Sequence, residues 1–158
     1  AASARPHFFV AMDELANAEN VGALMRNCVA FGVSALIAGE TCSSLFLRRT
    51  VRNSMGALFK LPVLESMNLA QTLHELRAGG MKCVAAHPRP GGKILSRVDF
   101  SGDCCVVFGS EGHGISPQVL AACDEAVTIP MANGVDSLNV SAAAAAFLYE
   151  VNRQRGKS

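Results

Sequence analysis

Short apolar runs that end in glycine, proline or histidine alternate along this chain with segments of helical periodicity, and that alternation restricts the fold more than any other feature. His7 to Met12, Ser34 to Ala38, Pro62 to Glu65, Lys82 to Ala86, Cys104 to Phe108 and Ala126 to Ile129 read as strands. They are rich in Val, Ile, Phe and Ala and too short to be core helices. Between them, Val21 to Phe31, Leu45 to Asn53, Leu69 to Ala78, Pro117 to Ala122 and Leu138 to Arg153 read as helices. Gly32 stops the first, Gly79-Gly80 breaks the third, and Pro117 opens the fourth. Strands that alternate with helices predict an α/β fold: a mainly parallel sheet covered by helices on both faces. The 158 residues read as a single domain, 1–158, with 88–93 as a surface loop and no internal repeat.

Composition removes several classes. Half of the residues are hydrophobic and 17% are charged, which suits a packed core and excludes a disordered chain. The longest apolar run, Ala142 to Tyr149, is far shorter than a membrane span. The first seven residues lack the basic start and apolar stretch of a secretion signal, and no Met begins the chain, as in a processed or trimmed fragment. The six cysteines, Cys28, Cys42, Cys83, Cys104, Cys105 and Cys123, form no C-x-x-C pair. Buried reduced thiols in a cytoplasmic protein, with no metal site, are therefore expected. A net charge of +1 leaves a nucleic-acid partner open, because a local basic cluster is enough.

Parallel sheets bind ligands beyond the carboxyl ends of their strands. Three strand-end segments here carry unusual chemistry: His87-Pro88, Gly109-Ser110-Glu111-Gly112-His113-Gly114, and Pro130 to Asn139. The glycine-rich segment lacks the spacing of a dinucleotide fingerprint and the Gly-Lys-Ser/Thr ending of a phosphate loop. Glu111 within it would repel a phosphate and suits a neutral or cationic ligand, or an arginine. Locally it also reads as a plain turn. In the last segment Asn133-Gly134 signals a turn, Ser137 is the expected cap of the final helix, and Asn139 falls in that helix's first turn. Near the start, Asn20 is the expected cap of a helix on which Gly22 and Ala23 permit close packing. Arg26 lies there between Met25, Val29 and Ala30, and calls for a carboxylate or phosphate partner unless its head is simply solvated.

Together these segments resemble the SpoU (TrmH-like) family of RNA ribose methyltransferases, in the SPOUT superfamily. The first motif is Asn20-x-Gly22-Ala23-x-x-Arg26, followed by Ala30-Phe31-Gly32. The second is Val107-Phe108-Gly109-Ser110-Glu111-Gly112-x-Gly114-Ile115. The third is Ile129-Pro130-Met131, then Ser137-Leu138-Asn139-Val140-Ser141-x-Ala143. The resemblance runs from about His7 to about Arg153.

The resemblance implies an S-adenosylmethionine-dependent enzyme that methylates a ribose 2′-hydroxyl of tRNA or rRNA. It also implies a C-terminal deep trefoil knot and a homodimer. Carried over by position, Arg26, Asn20, Glu111, Ser137 and Asn139 are the expected catalytic set. Gly109, Ile129, Met131 and Leu138, with Glu111 and Ser137, are expected to hold the donor, and Ala86 and His87 to line the same pocket. Arg48, Arg49 and Arg52, with Lys60 nearby, form the densest basic cluster and are expected to contact RNA. Many family members carry an additional N-terminal RNA-binding domain, for which these residues leave no room. Base methylation by another branch of the superfamily, or an inactive RNA- or donor-binding module, are the alternatives.

Overall fold

The computed structural model describes residues 5–15, 17–40, 61–88, 92–110, 112–132, 134 and 138–156. The expected helix over 45–53, with Arg48, Arg49, Arg52 and Lys60, lies outside them, as do Glu111 and Ser137. The described chain forms strands β1 (Phe8–Asp13), β2 (Ala35–Ala38), β3 (Val63–Glu65), β4 (Lys82–Ala86), β5 (Lys93–Ile94), β6 (Cys104–Gly109) and β7 (Glu125–Thr128). Helices α1 (Ala18–Ala30), α2 (Leu69–Ala78), α3 (Pro117–Ala121) and α4 (Val140–Gln154) cover them. A 3-10 turn, Leu95–Arg97, follows β5.

The strands make one sheet in the order β3-β2-β1-β6-β4-β7-β5. Every neighbouring pair is parallel. Because side chains alternate across a strand, β1 and β6 each feed two cores. Phe8, Val10, Met12, Val106 and Phe108 pack under α1 and α4. Ala11, Cys105 and Val107 pack under α2 and α3, with Leu69, Leu73 and Val119. Both faces of the central strands are buried, which is why these strands read as unbroken apolar runs.

Two helix starts differ from the sequence expectation. Helix α1 begins at Ala18, and its cap is Asn17, whose side chain accepts from the Asn20 amide at 3.0 Å. Asn20 is thus a first-turn residue, and its N–H is the group being capped. Helix α4 begins at Val140 and is capped by Asn139, whose Oδ1 accepts from the Ser141 amide at 2.8 Å. The capping role expected of Ser137 therefore belongs to Asn139. The expected stops hold: Gly32 has φ +73° and Gly80 φ +96°, the left-handed conformation that ends a helix. Strand β5, of two residues, has no sequence signature.

Five of the cysteines fall on described residues and are free, with Cys28, Cys83, Cys104 and Cys105 buried. Burial pushes the Cys28 and Cys123 thiols up to about 12. No helix among the described residues is long and apolar enough to cross a membrane.

Candidate functional site

A cleft of about 310 Å³ opens at the carboxyl ends of β4, β6 and β7. Parallel pairing of β4 with both β6 and β7 brings the three strand ends side by side, so the segments that leave them form its walls. From β4 come Ala86 and His87, from β6 Gly109 and Ser110, and from β7 Ile129 and Met131. The start of α4 closes the cleft with Leu138, Val140 and Ala143. Its base is the edge-to-face pair Phe108 and Phe147, with ring centres 5.7 Å apart. Small and apolar groups therefore dominate the lining, with backbone polar groups at the strand ends.

The loop after β6 depends on Gly109. A Cβ there would collide with the Gly114 backbone and come within 2.6 Å of the Ile115 nitrogen. Gly114 itself has φ +66° and donates its N–H to the Ser110 carbonyl at 2.8 Å. The loop thus folds back onto the end of its own strand, which only glycine at both positions permits. Asp13, at the end of β1 and 3% exposed, anchors the far side: its carboxylate accepts from the Ser116 amide at 2.7 Å. Sequence reading missed Asp13. The signal available was a carboxylate closing an otherwise apolar strand.

His87 is fixed by its backbone, which donates to the Val127 carbonyl at 3.0 Å. Its Nδ1 is buried and has no hydrogen-bond partner among the described residues. Such atoms are uncommon in folded proteins.

The structure brings six of the expected donor-holding residues, Ala86, His87, Gly109, Ile129, Met131 and Leu138, into this one cleft. Leu138 is 41% exposed, a large apolar side chain left open beside it. Asn20 is elsewhere: it lines an adjoining cavity with Glu14, Asn17 and Ser110, on the other side of the loop after β6. Arg26 is exposed on α1 and does not line the cleft. Its neighbour Asn27 donates from its side-chain amide to the Ser141 carbonyl at 2.8 Å, fastening that turn of α1 to the start of α4. Asn139 caps α4 at the same place. Among the described residues no group of His, Cys, Asp or Glu has the arrangement of a metal site.

Comparison with known proteins places this geometry. The model of the SpoU rRNA Methylase family matches residues 7–149. A protein of Mycolicibacterium paratuberculosis described as an uncharacterized tRNA/rRNA methyltransferase is 37% identical over 155 residues, which are 98% of this chain and 50% of that protein. The chain thus spans about half the length of the curated relatives it matches. Among solved structures, the SpoU methyltransferase AviRb of Streptomyces viridochromogenes in complex with AdoMet superposes with a TM-score of 0.84 at 30% identity, covering 96% of this chain and 59% of that one. An RNA 2′-O ribose methyltransferase superposes at 0.81 with 29% identity, covering 97% and 59%. With a family model spanning nearly all of its residues and the sheet, cleft and glycine-built loop in place, this chain belongs to the SpoU rRNA methylase family.

Proposed function

We propose that this chain is the catalytic domain of an S-adenosylmethionine-dependent RNA methyltransferase whose acceptor is a ribose 2′-hydroxyl. The observation that carries the reading is the cleft at the ends of β4, β6 and β7. Its residues fit the donor: apolar walls from Ile129, Leu138 and Phe108 suit an adenine ring, and His87 offers a ring nitrogen without a partner among the described residues. Ala86, Gly109 and Met131 would complete the hold, with Glu111 and Ser137 assigned by motif position. A bound AdoMet in the relative AviRb supports the same assignment. The donor, when bound, supplies a methyl group made electrophilic by its sulfonium.

A 2′-hydroxyl is a weak nucleophile at neutral pH, so the protein must align it and favour loss of its proton. Arg26 stays protonated and is a poor base. Its role in this reading is to grip the substrate phosphate and stabilise the alkoxide that forms. Asn20 and Asn139 support the acceptor side, with Glu111 and Ser137 beside them. The Asn27 to Ser141 bond supports this grouping, because it ties the Arg26 turn to the helix that Asn139 caps. Ribose as the target rests on the Asn20 to Arg26 motif and on the related ribose 2′-O enzyme. RNA backbone contact is assigned to Arg48, Arg49 and Arg52, and the knotted C-terminus and the homodimer to family membership. Tyr149, 62% exposed beside Phe31 and Val29, supports a second copy on the α1–α4 face.

Methyl transfer from labelled donor to total RNA, followed by nucleoside analysis, tests the reading. Label in 2′-O-methyl nucleosides is expected. Label confined to methylated bases would instead favour the base-modifying branch. Arg26→Ala should slow transfer about 100-fold or more, and an unchanged rate would remove Arg26 from the mechanism.

A further inference from the structure

Across the loop after β6 from the donor cleft lies a second cavity, about 300 Å³, lined by Glu14, Leu15, Asn17, Asn20, Ser110 and His113. Ser110 and His113 line both spaces, so the loop is a shared wall. Glu14 stands out in it. It is the residue after β1, it is exposed, and its φ of +56° makes it the single non-glycine in the left-handed region among the described residues. That conformation is costly for a side chain with a Cβ, and such outliers concentrate at binding sites. Among the described residues Glu14 forms no ion pair or hydrogen bond, so none of their contacts accounts for a glutamate in place of glycine or asparagine.

The lining has one carboxylate, and no Lys or Arg among its described residues. A phosphate would be repelled there, whereas a base with N–H groups would be held. Asn17 uses its Oδ1 to cap α1, accepting from the Asn20 amide at 3.0 Å, which leaves its side-chain NH2 as a donor. Asn20 adds a second amide. The cavity therefore combines a bidentate acceptor with amide donors. Of the four RNA bases, guanine alone carries two adjacent N–H donors, N1–H and the N2 amine, next to a carbonyl acceptor, O6.

We propose that Glu14 is the specificity-determining residue of an acceptor-base pocket that selects guanine, its carboxylate taking N1–H and N2–H while the Asn17 and Asn20 amides face O6. This assignment rests on the RNA methyltransferase reading for its substrate class, and the experiment below separates the two.

The test measures binding of this chain, with S-adenosylhomocysteine present, to five-nucleotide RNAs with uridine flanks and a central guanosine, inosine, adenosine or cytidine. Fluorescence anisotropy gives each affinity. Phosphate contacts are common to all four, so differences report the base. Guanosine should bind about tenfold more tightly than inosine, which lacks the N2 amine, and more tightly still than adenosine and cytidine. Glu14→Gly removes the carboxylate and suits a positive φ, so it should fold with an unchanged or higher Tm while the guanosine preference disappears. Glu14→Gln, which keeps the side chain's size, should lose the same preference. Equal affinities in the wild type, or a preference that survives both variants, would overturn the proposal. A chain that selects guanosine but transfers no methyl group to RNA would contradict the proposed activity and leave the pocket standing.

Discussion

The two ends of the sheet carry different kinds of contact. At the amino end, Arg155 closes the structure. Its guanidinium donates to the carbonyls of Phe100 at 3.0 Å, Pro6 at 3.1 Å, His7 at 3.3 Å and Gly102 at 2.6 Å, and lies 5.4 Å from the centre of the Phe8 ring. One side chain thus joins the C-terminus, the start of β1 and the approach to β6. At the carboxyl end, side chains around the two cavities are left open. Among the described residues the buried His87 Nδ1 has no partner, Leu138 stands exposed, and Glu14 holds a left-handed backbone without an ion pair or hydrogen bond. Satisfied polar groups lower the free energy of the fold. Unsatisfied ones raise it, as at His87, Glu125 and Asn152 among the described residues. Arg155 thus ties the amino end together, while the cleft opens at the carboxyl end.

Variants at each end should therefore separate stability from ligand binding. The largest effect is expected at the amino end. Arg155→Met should cost about 3 kcal/mol in chemical denaturation, because several carbonyls lose a charged donor together, while donor affinity in the folded fraction changes less than twofold. Next comes Gly109→Ala. Its Cβ has no space against Gly114 and Ile115, so the loop must shift. A stability loss of about 2 kcal/mol should accompany at least a tenfold loss in S-adenosylhomocysteine affinity by calorimetry.

His87→Leu should act in the opposite sense on the fold. Replacing an unsatisfied buried nitrogen by an apolar group should raise stability by about 1 kcal/mol and weaken donor binding, with His87→Asn retaining part of it. A destabilised His87→Leu that binds the donor normally would show His87 to be a core residue. The smallest effect belongs to two thiols in the covering layers, Cys28 on α1 and Cys123 just after α3. With Cys28 and Cys123 raised to about 12, their thiolates are scarce at pH 8, and alkylation followed by mass spectrometry should be slow until the protein unfolds.

Much of this contrast was legible in the sequence, unevenly. The strands were visible because both faces of β1, β4 and β6 are buried, which makes each an apolar run. The cleft was visible because its walls are strand-end segments with glycine, histidine and proline. Helix starts were less so. Asn17 and Asn20 are both good caps, and only the fold shows that Asn17 accepts from Asn20. Likewise Ser137 and Asn139 compete on sequence, and Asn139 takes the cap. Arg155 was not legible, and Asp13 only as a carboxylate closing an otherwise apolar strand. Their partners are backbone groups distant in the chain, such as Ser116 for Asp13, and backbone atoms leave no trace in a side-chain pattern. Among the site residues, Ala86, His87, Gly109, Ile129, Met131 and Leu138 converge on the cleft. Asn20 lies in the adjoining cavity, because that end of α1 packs against the other side of the loop.

The most direct measurement of the central claim is a calorimetric titration of S-adenosylhomocysteine into the wild type, Arg155→Met and Gly109→Ala, each at a temperature where it is folded. One site per chain is expected, with equal affinity in the wild type and Arg155→Met and at least tenfold weaker binding in Gly109→Ala. No binding to the wild type, or wild-type affinity in Gly109→Ala, would contradict the assignment of the carboxyl-end cleft as the donor site.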